Sequence, residues 1–478
     1  MPARLLSPDA WKKIHGNTEA GRDGMNIVPG DSRTAGEDYF ARITDNPLGR
    51  AFERKTAVHA GMGGKRIEGQ DAAGLLERLR ETPRQGQAAA YVHLPYCESK
   101  CLYCGFFGGA YSEEAGAAYV EALIREVESE RNHASVASAP VNALYLGGGT
   151  PTALRPFELT RLLRVLRSAL PLANDCEITV EGRIHNFGAE KMEACLEGGA
   201  NRFSIGVQTF NTDVRRRIGR LADQDGVCRC LERLASYNQA AVVIDLIYGL
   251  PGQSVDAWEE DIRAFLALPL DGVDLYQLNI FPGSALARGI AAGSLPETAS
   301  LAEQGAFFER GLAVMQSARC RRLSMSHWGR TLRERNLYNP IAKGRLDCLH
   351  YGAGAGGSLN GWFMFNASNV EEYLRRCDGG EKPVAVLTAP PEDLDIVRVI
   401  LGQMEHCRLN LDDVDAAFSR SARRDCPDAR TLYAPLLDNW EEAGLVTRDD
   451  PWVELTPAGQ FWQVNLSQAL IGRQRRMS

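Results

Sequence analysis

The sequence predicts an α/β protein built on a partial, TIM-like (β/α)6 barrel. From about residue 88, short apolar runs alternate with stretches of helical periodicity, and this β-α rhythm repeats about six times. Strands are predicted at AAAYVHL, VNALYL, CEITV near 178, RFSIGV near 204, VVIDLIYG near 245 and VDLYQLNI near 277. Parallel strands joined by right-handed crossover helices curl into a barrel, and such barrels carry their chemistry on the loops after the strands.

Two stretches with a clear helical face support this rhythm. Apolar residues recur at helical spacing after the first strand and again after the second. These positions are Tyr119, Val120, Leu123, Ile124 and Val127 in the first helix, and Leu159, Leu162, Leu163 and Leu166 in the second.

The chain divides into four regions. Residues 1–85 are rich in Gly, Asp and Arg and form an N-terminal extension, and residues 86–300 hold the barrel. Residues 301–385 contain helices and the Gly-rich run HYGAGAGGSLNGWFMFN, and this region is expected to cover the substrate. Residues 386–478 form a small α+β domain, because EEAGLVTRDDPWVELTPAGQFW predicts a helix, a strand, a turn and a strand, as in a winged helix. The acidic balance favours a packing role without nucleic acid.

The composition argues against several classes of protein. The formal charge of −7 and the isoelectric point near 5.8 lack the positive field of a nucleic-acid binder. No stretch approaches the roughly 18 continuous apolar residues that cross a bilayer, and the start MPARLLSPDAWKKIHG has no apolar signal segment. Nine of the 12 cysteines are scattered, which indicates reduced thiols rather than a disulfide framework. We therefore expect a cytoplasmic protein without a membrane span.

The run YVHLPYCESKCLYCGFF places Cys97, Cys101 and Cys104 on one short loop after the first strand. Three thiolates in a CxxxCxxC spacing suit an iron-sulfur cluster, and a four-iron cluster normally takes four cysteine ligands. The set therefore predicts a cluster with one iron left open to a non-protein ligand, as in open catalytic zinc sites. A zinc site is the alternative, but a fourth ligand at finger-like spacing is not evident.

The run GGGTP, from Gly147 to Pro151, follows the second strand directly. Backbone without side chains lets a ligand approach closely and leaves N–H groups available to it. Gln208 and Asp245 close the apolar runs SIGVQ and VVIDL, so both are expected to point into the mouth of the barrel. The GGGTP loop and the cysteine loop are predicted to share one ligand.

Four segments occur together in one order, namely YVHLPYCESKCLYCGF, GGGTP, RFSIGVQTFNTDVRRRIGR and VVIDLIYGLPGQ. They resemble the radical S-adenosylmethionine (radical SAM) superfamily, in the branch that contains oxygen-independent coproporphyrinogen III dehydrogenase. The resemblance implies a barrel of the radical SAM type and a [4Fe-4S] cluster on the three cysteines, with SAM on the open iron. It also implies that Tyr91 packs beside the sulfonium. The other implied SAM contacts are Tyr103, Phe106, Gly148, Gly149, Thr150, Glu181, Gln208, Arg220 and Asp245.

Three outer segments narrow the resemblance: ITDNPLGRAFERKTAVHAG, DCLHYGAGAGGSLNGWFMFN and LTPAGQFWQVNLSQALI. They look like the heme-utilisation radical SAM proteins, also called anaerobilin synthases. This resemblance implies oxygen-independent methylation and ring opening of heme to a linear tetrapyrrole with iron release. It also implies two SAM molecules and an external reductant such as a flavodoxin, a ferredoxin or a flavin reductase.

Two other functions of the same branch stay open. One is oxidation of coproporphyrinogen III, although Phe106 stands where those enzymes often carry a fourth cysteine. The other is a heme chaperone, which hands intact heme to acceptor proteins.

Residues that contact heme are less clear in the sequence. His327, His350 and Cys348 are candidate axial ligands, although a single histidine is more often structural. The aromatic residues that could cover the macrocycle are Trp328, Tyr351, Trp362 and Phe363.

Overall fold

Six parallel strands form the centre of the structure, a computed structural model that describes residues 39–56, 64–68, 70–105, 107–421 and 428–476. Each lies where the alternation of apolar residues predicts a strand. They are β1 (Ala88–Leu94), β2 (Val141–Gly148), β3 (Leu172–Arg183), β4 (Arg202–Gln208), β5 (Ala241–Tyr248) and β6 (Gly272–Gln277). Strands that follow one another in the chain also pair with one another in the sheet, always in parallel. The six predicted β-α units are therefore confirmed.

Helices connect these strands and bury the apolar faces that the sequence predicts. The main helices are α1 (Glu113–Glu130), α2 (Pro156–Ala169), α3 (Ala189–Gly198), α4 (Gln224–Ser236), α5 (Val255–Ala267) and α6 (Leu301–Ser317). Shorter helices are Ala134–Ala137, Thr212–Arg217, Ala285–Ala291, Tyr338–Lys343 and Val370–Asp378, with a 3-10 turn at Pro151–Ala153. Leu159 and Leu166 are fully buried against the sheet, as is Tyr119 on α1. Several helices begin at a side-chain cap, as α6 does at Ser300, which pairs with Glu303 in a capping box.

The sheet continues beyond the barrel strands and stays open at both edges, so the barrel is partial. On one side Asp347–Tyr351 pairs in parallel with β1, and Gly356–Leu359, Trp362–Asn366, Val384–Thr388 and Arg66–Ile67 follow. On the other side His327–Gly329 pairs antiparallel with β6, and Arg321–Arg322 follows.

The prediction for residues 301–385, helices and a Gly-rich cover, did not include the strands that lie there. Each has five residues or fewer, which is too short for a clear alternation. The GAGAGG run is in part a turn, where Gly352 and Gly354 adopt positive φ angles, and it then continues into the strand Gly356–Leu359. The region therefore combines helices with an extension of the sheet, and its role as a cover of the substrate stays a prediction.

A short helix, Tyr338–Lys343, fills the amino-terminal end of the barrel. Its Ile341 is buried together with Ala89 of β1, Ala143 of β2 and Cys348 of the neighbouring strand. The small side chains of β1 and β2 leave space for this helix inside the barrel. The lumen is consequently closed at this end, and its open end lies at the carboxyl ends of the strands.

The C-terminal residues have the winged-helix-like order that the sequence predicts. The helices Leu394–Met404, Leu411–Arg420 and Ala429–Glu442 surround a three-stranded antiparallel sheet of Arg408–Asn410, Val446–Asp449 and Trp452–Leu455. Pro457–Phe461 and Gln463–Arg476 complete the unit, which has a hydrophobic core of its own. The boundaries at residues 85, 300 and 385 stay predictions.

Residues 39–56, from the predicted N-terminal extension, pack on this C-terminal unit. The indole N–H of Trp440 donates to the carbonyl of Tyr39 at 3.0 Å, and that of Trp462 donates to the carbonyl of Pro47 at 2.9 Å. Ala51 is fully buried in the same core. None of the described helices is long and apolar enough to cross a membrane.

Candidate cofactor site

The three cysteines lie on a loop that begins where β1 ends and is closed by its own backbone. Tyr96–Cys97 pairs in parallel with Gly109–Ala110, and the amide of Gly108 donates to the carbonyl of Pro95 at 3.0 Å. Cys97 and Cys101 are buried, and Cys104 is half-buried. The loop thus holds three thiols at the open end of the barrel.

Two neighbours favour the thiolate form of Cys97. Burial raises the pKa of the Cys97 thiol, but the hydroxyl of Thr150, 3.2 Å from its Sγ, and the charge of Arg183 oppose that rise. The guanidinium of Arg183 also donates to the carbonyl of Ser99 at 2.7 Å and so fixes the loop. The sequence reading missed Arg183, although its position at the end of β3 could have indicated it. Since thiolates bind iron, this environment fits a metal centre.

The three cysteines suit a multi-iron cluster. Within the described ranges, no group of three His, Cys, Asp or Glu side chains could hold one metal ion. In a four-iron cluster each thiolate binds a different iron, so the three sulfurs need not converge on one point. The donor set is thus chemically suited to the predicted cluster.

The prediction that the GGGTP loop leaves N–H groups available to a ligand is wrong for three of its residues. The amide of Gly148 donates to Glu181 Oε2 at 3.2 Å, that of Gly149 to the carbonyl of Leu94 at 2.7 Å, and that of Thr150 to the carbonyl of Tyr96 at 2.9 Å. The glycines instead permit close packing, because a Cβ on Gly149 would stand 2.6 Å from the carbonyl oxygen of Tyr96. The loop therefore presses β2 against the cysteine loop.

Glu181 and Asp245 face the lumen on neighbouring parts of the sheet. The hydroxyl of Tyr145 donates to Glu181 Oε1 at 2.6 Å, and burial raises the pKa of the Glu181 carboxyl. Ser204 donates to Asp245 at 3.4 Å. Burial raises the pKa of Asp245 to about 7, helped by the nearby charges of Asp274 and Glu181. Each carboxylate can accept hydrogen bonds from ammonium or hydroxyl groups of a ligand.

Arg220, Gln208 and Tyr103 form a second polar cluster beside the cysteines. The guanidinium of Arg220 donates to Tyr103 Oη at 2.8 Å and to the carbonyl of Gly206 at 3.1 Å. Arg220 Nε and Gln208 Oε1 are buried without a hydrogen-bond partner in the part of the chain that the structure describes. A buried polar atom left unpaired costs about 1–3 kcal/mol, so a ligand that bonds to these atoms would recover that free energy. Gln208 also has a φ of +74°, a conformation that is uncommon for a residue with a side chain and clusters at ligand sites.

Aromatic rings line the lumen next to Glu181. The rings of Tyr145 and Tyr338 stack at 4.4 Å, and Tyr91 lies 6.3 Å from Tyr145 and 6.1 Å from Tyr338. The hydroxyl of Tyr91 bonds to His93 Nδ1 at 2.9 Å, and burial lowers the pKa of His93 to about 4. The sequence reading selected only Tyr91. Tyr145 could have been found, because β2 pairs in register with β1 and places Tyr145 opposite Tyr91 on the same face.

Of the candidate axial ligands for heme, His327 is excluded by its own hydrogen bonds, and the assignments of His350 and Cys348 stay predictions. Both ring nitrogens of His327 already bond to carboxylates, Nδ1 to Asp274 at 2.7 Å and Nε2 to Glu334 at 3.0 Å, so the ring has no lone pair for iron. His350 and Cys348 are buried within a strand.

The remaining predicted contacts are the aromatic residues that could cover the macrocycle and Phe106 of the cysteine loop. The aromatic side chains expected to cover the macrocycle are mostly core, because Trp328, Tyr351 and Phe363 are buried. Phe106, a predicted SAM contact, lies outside the described residues.

The structure brings together most of the predicted site residues. Thr150 contacts Cys97, Glu181 contacts Gly148, and Arg220 joins Tyr103 to the end of β4. The fold and the site thus define a partial α/β barrel with an iron-sulfur type of cysteine loop and a polar ligand site at one end.

Comparisons with known proteins agree with this class. A model of the Radical SAM superfamily matches residues 91–265. Anaerobilin synthase of Escherichia coli O157:H7 is 40% identical over 395 residues, which cover 82% of this chain and 86% of that protein. Heme chaperone HemW of Bacillus subtilis is 28% identical over 386 residues, which cover 80% of this chain and 99% of that protein. The solved structure of coproporphyrinogen III oxidase (HemN) from Escherichia coli matches with a TM-score of 0.71 at 22% identity, over 86% of this chain and 95% of that one.

The chain therefore belongs to the radical SAM superfamily, in the branch that contains anaerobilin synthase. The predicted fold of the radical SAM type is confirmed. Membership of this superfamily implies a [4Fe-4S] cluster and SAM as cofactors, and the cysteine loop and the unpaired polar atoms fit them.

Proposed function

We propose that this chain methylates heme without oxygen and opens the porphyrin ring to a linear, anaerobilin-type tetrapyrrole, with release of iron. The observation that carries the proposal is the 40% identity to anaerobilin synthase over 86% of that protein's length. The geometry supports it, because the cysteine loop and two polar clusters border one open-ended lumen. Such a lumen can hold a cofactor deep inside and a larger substrate at its mouth.

Cys97, Cys101 and Cys104 would hold the cluster, each through one thiolate. Thr150 and Arg183 lower the cost of ionising Cys97. When bound, the cluster and SAM together supply a carbon-centred radical, and a second SAM supplies the methyl group. The protein's own part is to bind, orient and shield these groups.

The polar residues would orient SAM around the cysteine loop. Arg220 Nε can donate to a carboxylate, and Gln208 Oε1 can accept from an ammonium or a hydroxyl. Glu181, fixed by Tyr145, and Asp245 can accept further hydrogen bonds from the same molecule. Gly148, Gly149 and Thr150 would contribute by packing closely against the cysteine loop and so holding it beside the ligand.

The aromatic rings of the lumen would exclude water from the radical. Tyr91, Tyr145 and Tyr338 form a nearly continuous apolar surface beside the polar clusters. A radical intermediate needs such an enclosure, because water and stray hydrogen donors would quench it. Tyr91 would also pack beside the sulfonium.

The test is mass spectrometry of the products formed anaerobically from heme and methyl-labelled SAM by the reduced, cluster-loaded protein. We expect the label in a ring-opened tetrapyrrole, together with released iron. Cys101→Ala should abolish the product, whereas Cys320→Ala, at a half-buried cysteine outside the site, should not. The protein can be reduced by a flavodoxin, a ferredoxin or a flavin reductase.

The same experiment separates the two other functions of this branch. Complete SAM cleavage with an unchanged heme spectrum would overturn the proposal. Decarboxylation of coproporphyrinogen III would then indicate the coproporphyrinogen activity. Stoichiometric transfer of intact heme to an apoprotein would indicate a chaperone, the function named for the relative that is 28% identical.

A further inference from the structure

The mouth of the barrel carries a cluster of exposed apolar side chains at the end of β6 and just after it. Tyr276, Ile280 and Phe281 are 40%, 43% and 42% exposed. They are three of the ten large apolar side chains that are exposed among the described residues, and they fall within six positions of the chain. We call Tyr276, Ile280 and Phe281 the ledge. Exposed apolar side chains scattered singly need no explanation, but a cluster at a site entrance indicates a ligand surface.

The ledge adjoins the cysteine loop. The ring of Phe281 lies 3.3 Å from the position that a Cβ on Gly105 would take, and Gly105 follows Cys104 directly. The amide of Leu286 donates to the carbonyl of Leu102 at 2.9 Å. Leu278 and Leu286 are buried against the cysteine-loop side, which leaves Ile280 and Phe281 exposed. A molecule on the ledge would thus lie beside the predicted cluster.

Tyr276 connects the ledge to the inside of the barrel. Asp274 pairs in register with Asp245 of β5, and Tyr276, two residues further along β6, lies on the same face of the sheet, so its ring faces the lumen. Its exposed surface therefore faces open space within the mouth. A flat molecule could rest on this ring and on Phe281 at the same time.

Two cations lie on the segments that adjoin the ledge. Lys100 lies on the cysteine loop with its ammonium 5.3 Å from the ring centre of Phe107, and Arg288 donates to the carbonyl of Gly283 in the loop that carries the ledge. Neither cation forms an ion pair with a carboxylate of the described residues. Positive charges around an apolar surface complement a ligand that is apolar at its centre and anionic at its edge.

We infer that the ledge binds one face of the substrate, a flat tetrapyrrole macrocycle, and that Lys100 and Arg288 pair with its carboxylate side chains. The inference rests on the proposed function and adds the surface on which the substrate lies. It places a face of the macrocycle against Tyr276 and Phe281, next to the cysteine loop and the SAM site.

Anaerobic titration of the cluster-loaded protein with heme, followed by absorbance, tests the ledge. The double variant Ile280→Ser/Phe281→Ser should bind heme at least about 10-fold more weakly, because two apolar contacts are lost. The matched control is Leu332→Ser, at a leucine that is 85% exposed. Leu332 lies far from the ledge, because the amide of the preceding residue, Thr331, donates to the carbonyl of Asp271 at the opposite end of β6. This control should bind heme as the wild type does. SAM cleavage by the Leu332→Ser control should also equal that of the wild type.

Charge variants test the second part. Lys100→Glu/Arg288→Glu should weaken heme binding about 5-fold to 10-fold, as expected for two reversed, exposed ion pairs. The same variant and the wild type should bind heme dimethyl ester alike, since the ester lacks the carboxylates.

The outcomes for the ledge and for the enzyme activity are distinguishable. Unchanged heme affinity in the Ile280→Ser/Phe281→Ser variant would overturn the ledge, even if ring-opened product forms. Affinity that depends on the ledge without any ring-opened product would support the ledge and overturn the proposed function.

Discussion

Raising the pH should weaken the fold through one buried residue, His327. Burial alone would lower the pKa of His327, but the carboxylates of Asp274 and Glu334, at 2.7 and 3.0 Å, outweigh burial and raise it to about 9. Arg202, 3.0 Å from Glu334, completes a buried chain of alternating charge. The folded protein therefore holds the proton on His327 more tightly than the unfolded chain does.

The size and direction of the effect follow from the two pKa values. A rise from 6.5 to about 9 corresponds to about 3 kcal/mol, at about 1.4 kcal/mol for each pH unit. This contribution is fully present below pH 6.5 and is lost as the pH rises through about 9.

The measurement is anaerobic urea unfolding of the wild type and of His327→Gln, followed by tryptophan fluorescence over this pH range. The other lysines, tyrosines and cysteines titrate in both proteins, so the difference between them isolates His327. We expect the advantage of the wild type in free energy of unfolding to shrink by about 3 kcal/mol between pH 6.5 and alkaline pH. Parallel pH profiles would refute the reasoning, because they would mean that His327 is neutral in the folded protein.

Three further changes test other parts of the structure. Gly148→Ala should cost about 2–3 kcal/mol of stability in thermal unfolding, because φ is +108° and the new Cβ would stand 2.5 Å from a histidine ring. Gly188→Ala is its control and should be nearly neutral, since nothing lies within 4 Å of that position. Arg202→Leu should cost about 3–5 kcal/mol in urea unfolding, because it removes one of the two cations that pair with the buried carboxylate of Glu334. The double variant Arg202→Leu/Glu334→Leu should recover part of that loss, and a double variant as unstable as the single one would contradict the pairing. Asp245 has a pKa raised to about 7 by burial, so SAM binding measured by calorimetry should strengthen as the pH rises through 7. Asp245→Asn should abolish that pH dependence.

The barrel strands were predictable because their burial alternates with a period of two or is continuous. The prediction for β1 matches Ala88–Leu94 in full, and β4 is buried at every position. The prediction for β3 covered only CEITV, whereas the strand begins at Leu172. The first residues of this strand lie outside the core, and Asn174 and Asp175 among them are exposed. Edge positions of this kind have no hydrophobic signal.

The buried charges could not be predicted from the sequence. Arg202 and Glu334 are 132 positions apart, and each alone has the pattern of a solvated residue. Only the fold shows that each is the partner that makes the burial of the other possible. The position of Tyr338 could not be predicted either. Its helix fits inside the barrel because β1 and β2, far away in the sequence, carry the small residues Ala89 and Ala143.

The packing of residues 39–56 on the C-terminal unit gives the protein a built-in optical reporter. Trp440 and Trp462 each donate their indole N–H to a carbonyl of this segment, so the polarity around both rings depends on whether the segment is docked. Undocking would expose both indoles to water and shift their fluorescence to the red. A red shift in the emission of these two residues can therefore report the detachment of the N-terminal segment, while Trp258 of the barrel is fully buried in the other hydrophobic core.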